Sequence, residues 1–128
     1  METRDVLLDA FGRIGGGVAR TLQGARQKQL DYRPDPDANP VGWLVWHLTR
    51  VMDDHVSEIA DREQVWTADG WARRFDLPLD DAETGYGHTR EQVAQVRASA
   101  ELLLSYHEAV QEQCAAYLRG IEADELDR

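Results

Sequence analysis

The sequence predicts an all-α protein, an up-down helix bundle. Apolar residues recur at helical spacing in three long segments. No segment alternates apolar and polar residues in the way a strand would. Stretches rich in proline and glycine separate the three segments, so each must bury its apolar stripe against the others. The 128 residues fit one domain, residues 1–128, long enough for a core without disulfide or metal staples.

The first helix is expected over residues 4–23. Leu7, Phe11, Ile14, Val18 and Leu22 form its stripe, Thr3 suits the N-cap, and Asp5 favours the dipole in the first turn. Gly15, Gly16 and Gly17 interrupt it, each costing roughly 1 kcal/mol against alanine. They imply a kink or a closely packed neighbouring backbone. A phosphate-binding loop is the poorer reading, because no GxxxxGK[ST] is present. Gly24 suits a helix stop, and Pro34, Pro36 and Pro40 keep the next stretch from being a continuous helix.

The second helix is expected from Val41 to Asp61, with Leu44, Leu48, Val51, Met52 and Ile59 as its core stripe. Beside it runs a line of mixed character: Trp43, His47, Val51, Asp54 and Glu58. Residues 62–88 have little period but hold Trp66, Trp71, Phe75 and Tyr86, which predicts a packed connection of the kind used as lids or binding loops. A helical turn is expected at Ala72 to Phe75. The third helix begins at Thr89, where Thr89 and Gln92 fit a capping box, and a break or bend is expected near Arg97 to Ser99. Its stripe is Leu103, Tyr106, His107, Val110, Cys114, Tyr117, Leu118 and Ile121, with Gly120 as terminator and EADELDR as a polar tail. Bundles of this kind commonly use four helices. Either this is a three-helix bundle, or the last helix is lacking or borrowed from a partner.

The net charge of −10 argues against nucleic acid and anionic membrane as partners, since both attract basic surfaces. No apolar run approaches the roughly 18 residues of a membrane span. The charged start METRDVLLDAF lacks the apolar core of a signal peptide. Cys114 is the only cysteine, which excludes an internal disulfide and makes a cytoplasmic location the expectation. It reads as a small buried hydrophobe, with no charged activator at helical spacing.

Among the titratable residues, His47 stands out because it sits inside the apolar run GWLVWHL. It is either a core histidine satisfied by a hydrogen bond or a ligand held in a dry pocket. Asp54 is about 10 Å further along the helix axis, too far to share one ion with it. Asp54 and Glu58 form an i, i+4 carboxylate pair that either chelates or lies on a solvated face near Arg50 or Arg62. His55 reads as surface or as a contact to the long connection. His88, just before a helix start, is either a binding residue or an inert flanking one. His107 lies on the apolar side of its helix and could face His47. No GxSxG, HExxH or dinucleotide fingerprint occurs.

Taken together, AFGRI at 10–14, YRPDPDANPVGWLVWHLTRVMDDH at 32–55, VWTADGWARRFDLP at 65–78, GYGHT at 85–89 and ELLLSYHEAV at 101–110 resemble the DinB-like superfamily. The similarity is greatest to its branch of mycothiol-dependent, maleylpyruvate isomerase-like proteins. The resemblance implies a four-helix bundle holding a divalent metal, zinc or nickel, with His47 as one ligand. It implies a metal-activated low-molecular-weight thiol and a small-molecule substrate, in thiol transfer or thiol-assisted isomerisation. In such proteins two further ligands stand at i and i+4 on the last helix, as HxxxH or with a carboxylate first, and no such pair is present here. The expectation is therefore a shortened form whose exposed face a homodimer covers. The alternative is a non-catalytic helical binding or dimerisation module.

Overall fold

The computed structural model describes residues 3–121. Among them are seven helices and no strand: α1 (Thr3–Leu22), α2 (Gln27–Leu30), α3 (Val41–Ala60), α4 (Val65–Ala68), α5 (Trp71–Phe75), α6 (Arg90–Gln95) and α7 (Ala100–Gly120). Helix α7 lies between α1 and α3 and packs on both. The short α4 and α5 close one end of the α3–α7 pair. The acidic tail after Ile121 lies outside the described residues.

Helix α1 already includes Thr3, so Thr3 is not its cap. It runs unbroken through the three glycines, with neither the kink nor the closely packed neighbouring backbone that they implied. A Cβ at Gly15 would meet the Gln111 side chain of α7 at 3.4 Å, whereas at Gly16 and Gly17 it would approach only the side chain of Arg20. The α1 stripe is narrower than expected. Val18 and Leu22 are buried, but Ile14 is exposed, because among the described residues α1 packs mainly on α7.

The expected third helix is two. Thr89 and Gln92 form the capping box, with the Gln92 N–H donating to Thr89 Oγ1 at 3.2 Å and the Thr89 N–H to Gln92 Oε1 at 2.8 Å. Helix α6 then stops at Gln95, since Val96 turns extended to bury its side chain. Ser99 starts α7 by accepting from the Leu102 N–H at 3.1 Å. Of the break or bend expected here, the structure has the break. The α7 stripe appears as read except at Tyr117, which is half-buried; Leu103, Tyr106, His107, Val110, Cys114, Leu118 and Ile121 are all buried.

Helix α3 departs most from expectation. Leu44 and Ile59, assigned to the core, are 47% and 69% exposed. The buried face instead carries Trp43, Val45, Trp46 and Met52 together with Thr49, Arg50, Asp53 and Ser57. Helix α3 thus turns a polar row inward and an apolar row outward. Thr49, Arg50, Asp53 and Ser57 are tolerated there because each has hydrogen-bond partners, the condition under which burial of polar atoms is stable.

The connection 62–88 is packed at Trp66, Trp71 and Phe75, as its aromatics implied, but Tyr86 is 90% exposed. Trp66 lies against Phe75 and Tyr106, with ring centroids 4.9 Å and 5.0 Å apart. A buried ring of this size removes roughly 150–250 Å² from water, worth roughly 4–6 kcal/mol before the entropy of ordering it.

Candidate functional site around His47

His47 projects from the middle of α3, half-buried, at the point where the loop after α5 crosses the helix. Its Nδ1 lies 2.6 Å from the carbonyl oxygen of Thr84. A carbonyl only accepts, so Nδ1 carries the hydrogen and Nε2 is the bare nitrogen of the neutral ring. Trp43, one turn earlier, stacks on the imidazole at 4.7 Å with planes 14° apart. The backbone of Gly85 lies against the ring edge. A Cβ on Gly85 would be 2.7 Å from His47 Nδ1 and 2.9 Å from Trp43, and its φ of +99° is in the region that favours glycine.

The loop is tied down by Arg50, whose side chain is fully buried. Its Nε donates to the Glu83 carbonyl at 3.1 Å, one terminal nitrogen to the Asp81 carbonyl at 3.1 Å, and the other to Gln64 Oε1 at 2.6 Å. The guanidinium also lies over the Trp66 ring at 4.8 Å. At the far end of the loop His88 has its side chain 2% exposed. Its Nδ1 accepts from Trp43 Nε1–H at 3.2 Å and its Nε2 faces Glu83 Oε2 at 3.3 Å. Because Nδ1 accepts, the neutral His88 carries its hydrogen on Nε2 and donates to Glu83.

The two aspartates after His47 part company. Asp53 is buried and accepts from the backbone N–H groups of Val65 and Trp66, both at 2.8 Å, and from the Tyr106 hydroxyl at 2.7 Å. Ser57 Oγ donates to it at 3.3 Å, and Arg50 stands 3.9 Å away. Burial and the Asp53 carboxylate push the Tyr106 hydroxyl well above its usual pKa. Asp53 is thereby the anchor of α4. Asp54 accepts from Gln64 Nε2 at 2.9 Å, Glu58 is exposed, and His55 is exposed beside Asp54.

His107 does not pair with His47. Thr49 donates its hydroxyl hydrogen to the Val45 carbonyl at 2.8 Å, so His107 Nδ1–H donates to Thr49 Oγ1 at 2.9 Å. The bare Nε2 of His107 is buried with no partner, and burial lowers the ring's pKa. Cys114 is buried and its thiol is pushed up to about 11, chiefly by that burial. It is the inert small residue that its position on the stripe implied.

Among the described residues no three of His, Cys, Asp and Glu come together to hold a metal ion. His47 fits as one ligand, with an anchored Nδ1 and a free Nε2. The described residues do not furnish the rest of a set, so no chemical step can be assigned through a metal. Sequence reasoning missed Thr84, which acts through its carbonyl, and Arg50, which acts from the buried face. The glycines flanking Tyr86 were the one local signal of a chain path pressed against something.

Fold and site together define an all-α helical protein in which one histidine of α3 is held by a backbone carbonyl from outside its own helix. Residues 11–128 match the DinB superfamily, and the chain belongs to it. Among solved structures it is similar to a conserved protein from Enterococcus faecalis, with 26% identity and a TM-score of 0.88 over 97% of this chain and 74% of that one. No functionally curated protein matches the chain.

Proposed function

We propose that this chain belongs to a divalent-metal-dependent, thiol-using group within the superfamily, with zinc or nickel as the metal and His47 as one ligand. The observation that supports it is the bond from His47 Nδ1–H to the Thr84 carbonyl. Metal-ligating histidines characteristically donate their other ring N–H in this way, which fixes the tautomer and aims the lone pair. A cation bound there would depress the pKa of a small thiol of the mycothiol type and yield a thiolate near neutral pH. Thiol transfer or thiol-assisted isomerisation of a small molecule is the corresponding reaction class. The test is metal content after incubation with zinc or nickel, for the protein and for His47→Ala. Stoichiometric metal that His47→Ala loses supports the reading. Absence of metal, with His47→Ala affecting stability alone, removes it.

A second reading, a non-catalytic dimerisation module, is favoured by the outward row of α3. Val41, Leu44, Leu48, Val51 and His55 follow three-four spacing, the seam of a coiled coil, with Val41 and Leu44 exposed and Leu48 and Val51 half-buried. Sedimentation of the purified protein tests it: a homodimer that Leu44→Lys dissociates supports it, and a monomer at high concentration removes it.

A further inference from the structure

We propose that His88 is the positioning residue for His47, acting through a clamp that holds His47 in the Nδ1–H tautomer and leaves Nε2 bare. The inference deepens the ligand reading of His47 and depends on that reading only for its functional consequence.

A neutral imidazole in water favours the Nε2–H tautomer, the opposite of what the Thr84 carbonyl imposes. Some part of the structure must therefore keep that carbonyl 2.6 Å from Nδ1. The carbonyl belongs to a loop with no helix of its own, from Asp76 to Thr89. Arg50 fixes its first half through the Asp81 and Glu83 carbonyls. His88 fixes the second half, and it bonds to both walls of the His47 slot. One ring nitrogen takes the Trp43 indole N–H, and Trp43 is the plate on which His47 stacks. The other donates to the Glu83 carboxylate, whose residue immediately precedes Thr84.

His88 also closes the turn between these walls. Its backbone N–H donates to the Gly85 carbonyl at 3.2 Å, and Gly87 at φ +71° makes the tight corner possible. Its ring lies over Trp46 at 5.8 Å. The two histidines thus hold opposite tautomers, and each is determined by a partner with only one hydrogen-bonding role. Trp43 Nε1 can only donate and the Thr84 carbonyl can only accept. Removing the His88 ring frees the indole and the carboxylate together, so the slot loses one wall and the anchor of the other.

The experiment is nitrogen-15 NMR of the imidazoles at a pH where they are neutral, with His47 identified by His47→Gln. The unaltered protein should show His47 as Nδ1–H. In His88→Ala the Nδ1–H fraction should fall from nearly all to less than half. His88→Gln, whose amide can accept from Trp43 and donate to Glu83, should restore it. Glu83→Ala, at a partly exposed side chain, removes one end of the chain and should shift the tautomer in the same direction, even if His88→Ala fails to fold. The inference is overturned by His47 standing as Nε2–H in the unaltered protein, by an unmoved tautomer in folded His88→Ala or in Glu83→Ala, or by His88→Gln behaving as the alanine does. Zinc titration of the same samples separates the two proposals. Intact tautomer behaviour without zinc binding removes the metal reading and leaves the clamp, and zinc binding with His47 as Nε2–H does the reverse.

Discussion

Replacing Asp53 by asparagine tests whether the first aspartate of the pair after His47 is structural. The two carboxylate oxygens accept, separately, the N–H groups of Val65 and Trp66, and one of them also takes the Tyr106 hydroxyl. Asparagine keeps one oxygen and turns an NH₂ toward one of those backbone donors. One charge-assisted bond worth about 1.5–3 kcal/mol is lost, and a buried N–H is left without a partner at a cost of about 1–3 kcal/mol. The buried Arg50 also loses its anionic neighbour at 3.9 Å. The sum, about 3–5 kcal/mol, matches what breaking a buried ionic group from one side commonly costs. It is a large share of the roughly 5–15 kcal/mol that holds a domain folded. Urea denaturation of Asp53→Asn beside Asp54→Asn gives the comparison. The second change, at a side chain 39% exposed with only Gln64 as donor, should cost under about 1 kcal/mol. In a thermal scan the first should lower Tm by about 12–20 °C at about 4 °C per kcal/mol. Equal costs for the two variants, or under about 1 kcal/mol for Asp53→Asn, would refute the reasoning.

Three further outcomes are expected. Gly85→Ala combines a positive φ with a Cβ 2.7 Å from His47 Nδ1; it should destabilise by about 1–3 kcal/mol, and an unchanged urea midpoint would contradict the close approach. Burial lowers the pKa of His107 from 6.5, so the unfolded state binds more protons between the folded value and 6.5. Stability should therefore rise with pH through that window and fall away as pH drops below 6.5 toward the folded value. His107→Gln should flatten that slope by up to about 1.4 kcal/mol per pH unit, and parallel curves for the two proteins would count against it. The Cys114 thiol, buried and pushed up to about 11, should resist a disulfide reagent at neutral pH until denaturant is added and then react as one equivalent; prompt labelling of the native protein would show that the site is open.

The sequence carried the α7 face well and the α3 face poorly, for one physical reason. Hydrophobic periodicity finds a buried face only where burial is apolar. From Leu103 to Ile121 the buried positions are mostly apolar, and the pattern picks them out. In α3 the inward positions include Thr49, Arg50, Asp53 and Ser57, whose stability comes from bonds to distant residues that no local pattern contains. The same pattern then selected Leu44 and Ile59, which point outward. His47 was legible because a histidine among tryptophan, leucine and valine breaks the composition around it. Its orienting partner was not, since a backbone carbonyl such as that of Thr84 has no residue-type signature. Arg50 had the same kind of signal as His47, a charge inside an apolar run, but read as solvated because lysine and arginine are rarely found fully buried.

The placement of α1 against α7 has a kinetic consequence. The bond from Arg4 to the Ile121 carbonyl joins residues 117 apart in the chain, whereas Asp53 reaches Val65 across 12 residues. By chain-entropy scaling the longer closure costs about 2 kcal/mol more. Helix α1 also carries three consecutive glycines, which weaken it as an isolated helix. The order of assembly that follows is α3 with α4, then α7, and α1 last. Substitutions at Trp66 should slow folding, while those at Val18 should chiefly speed unfolding. Amide exchange in the native protein should be faster in α1 than in α3; equal protection of the two helices would contradict this order.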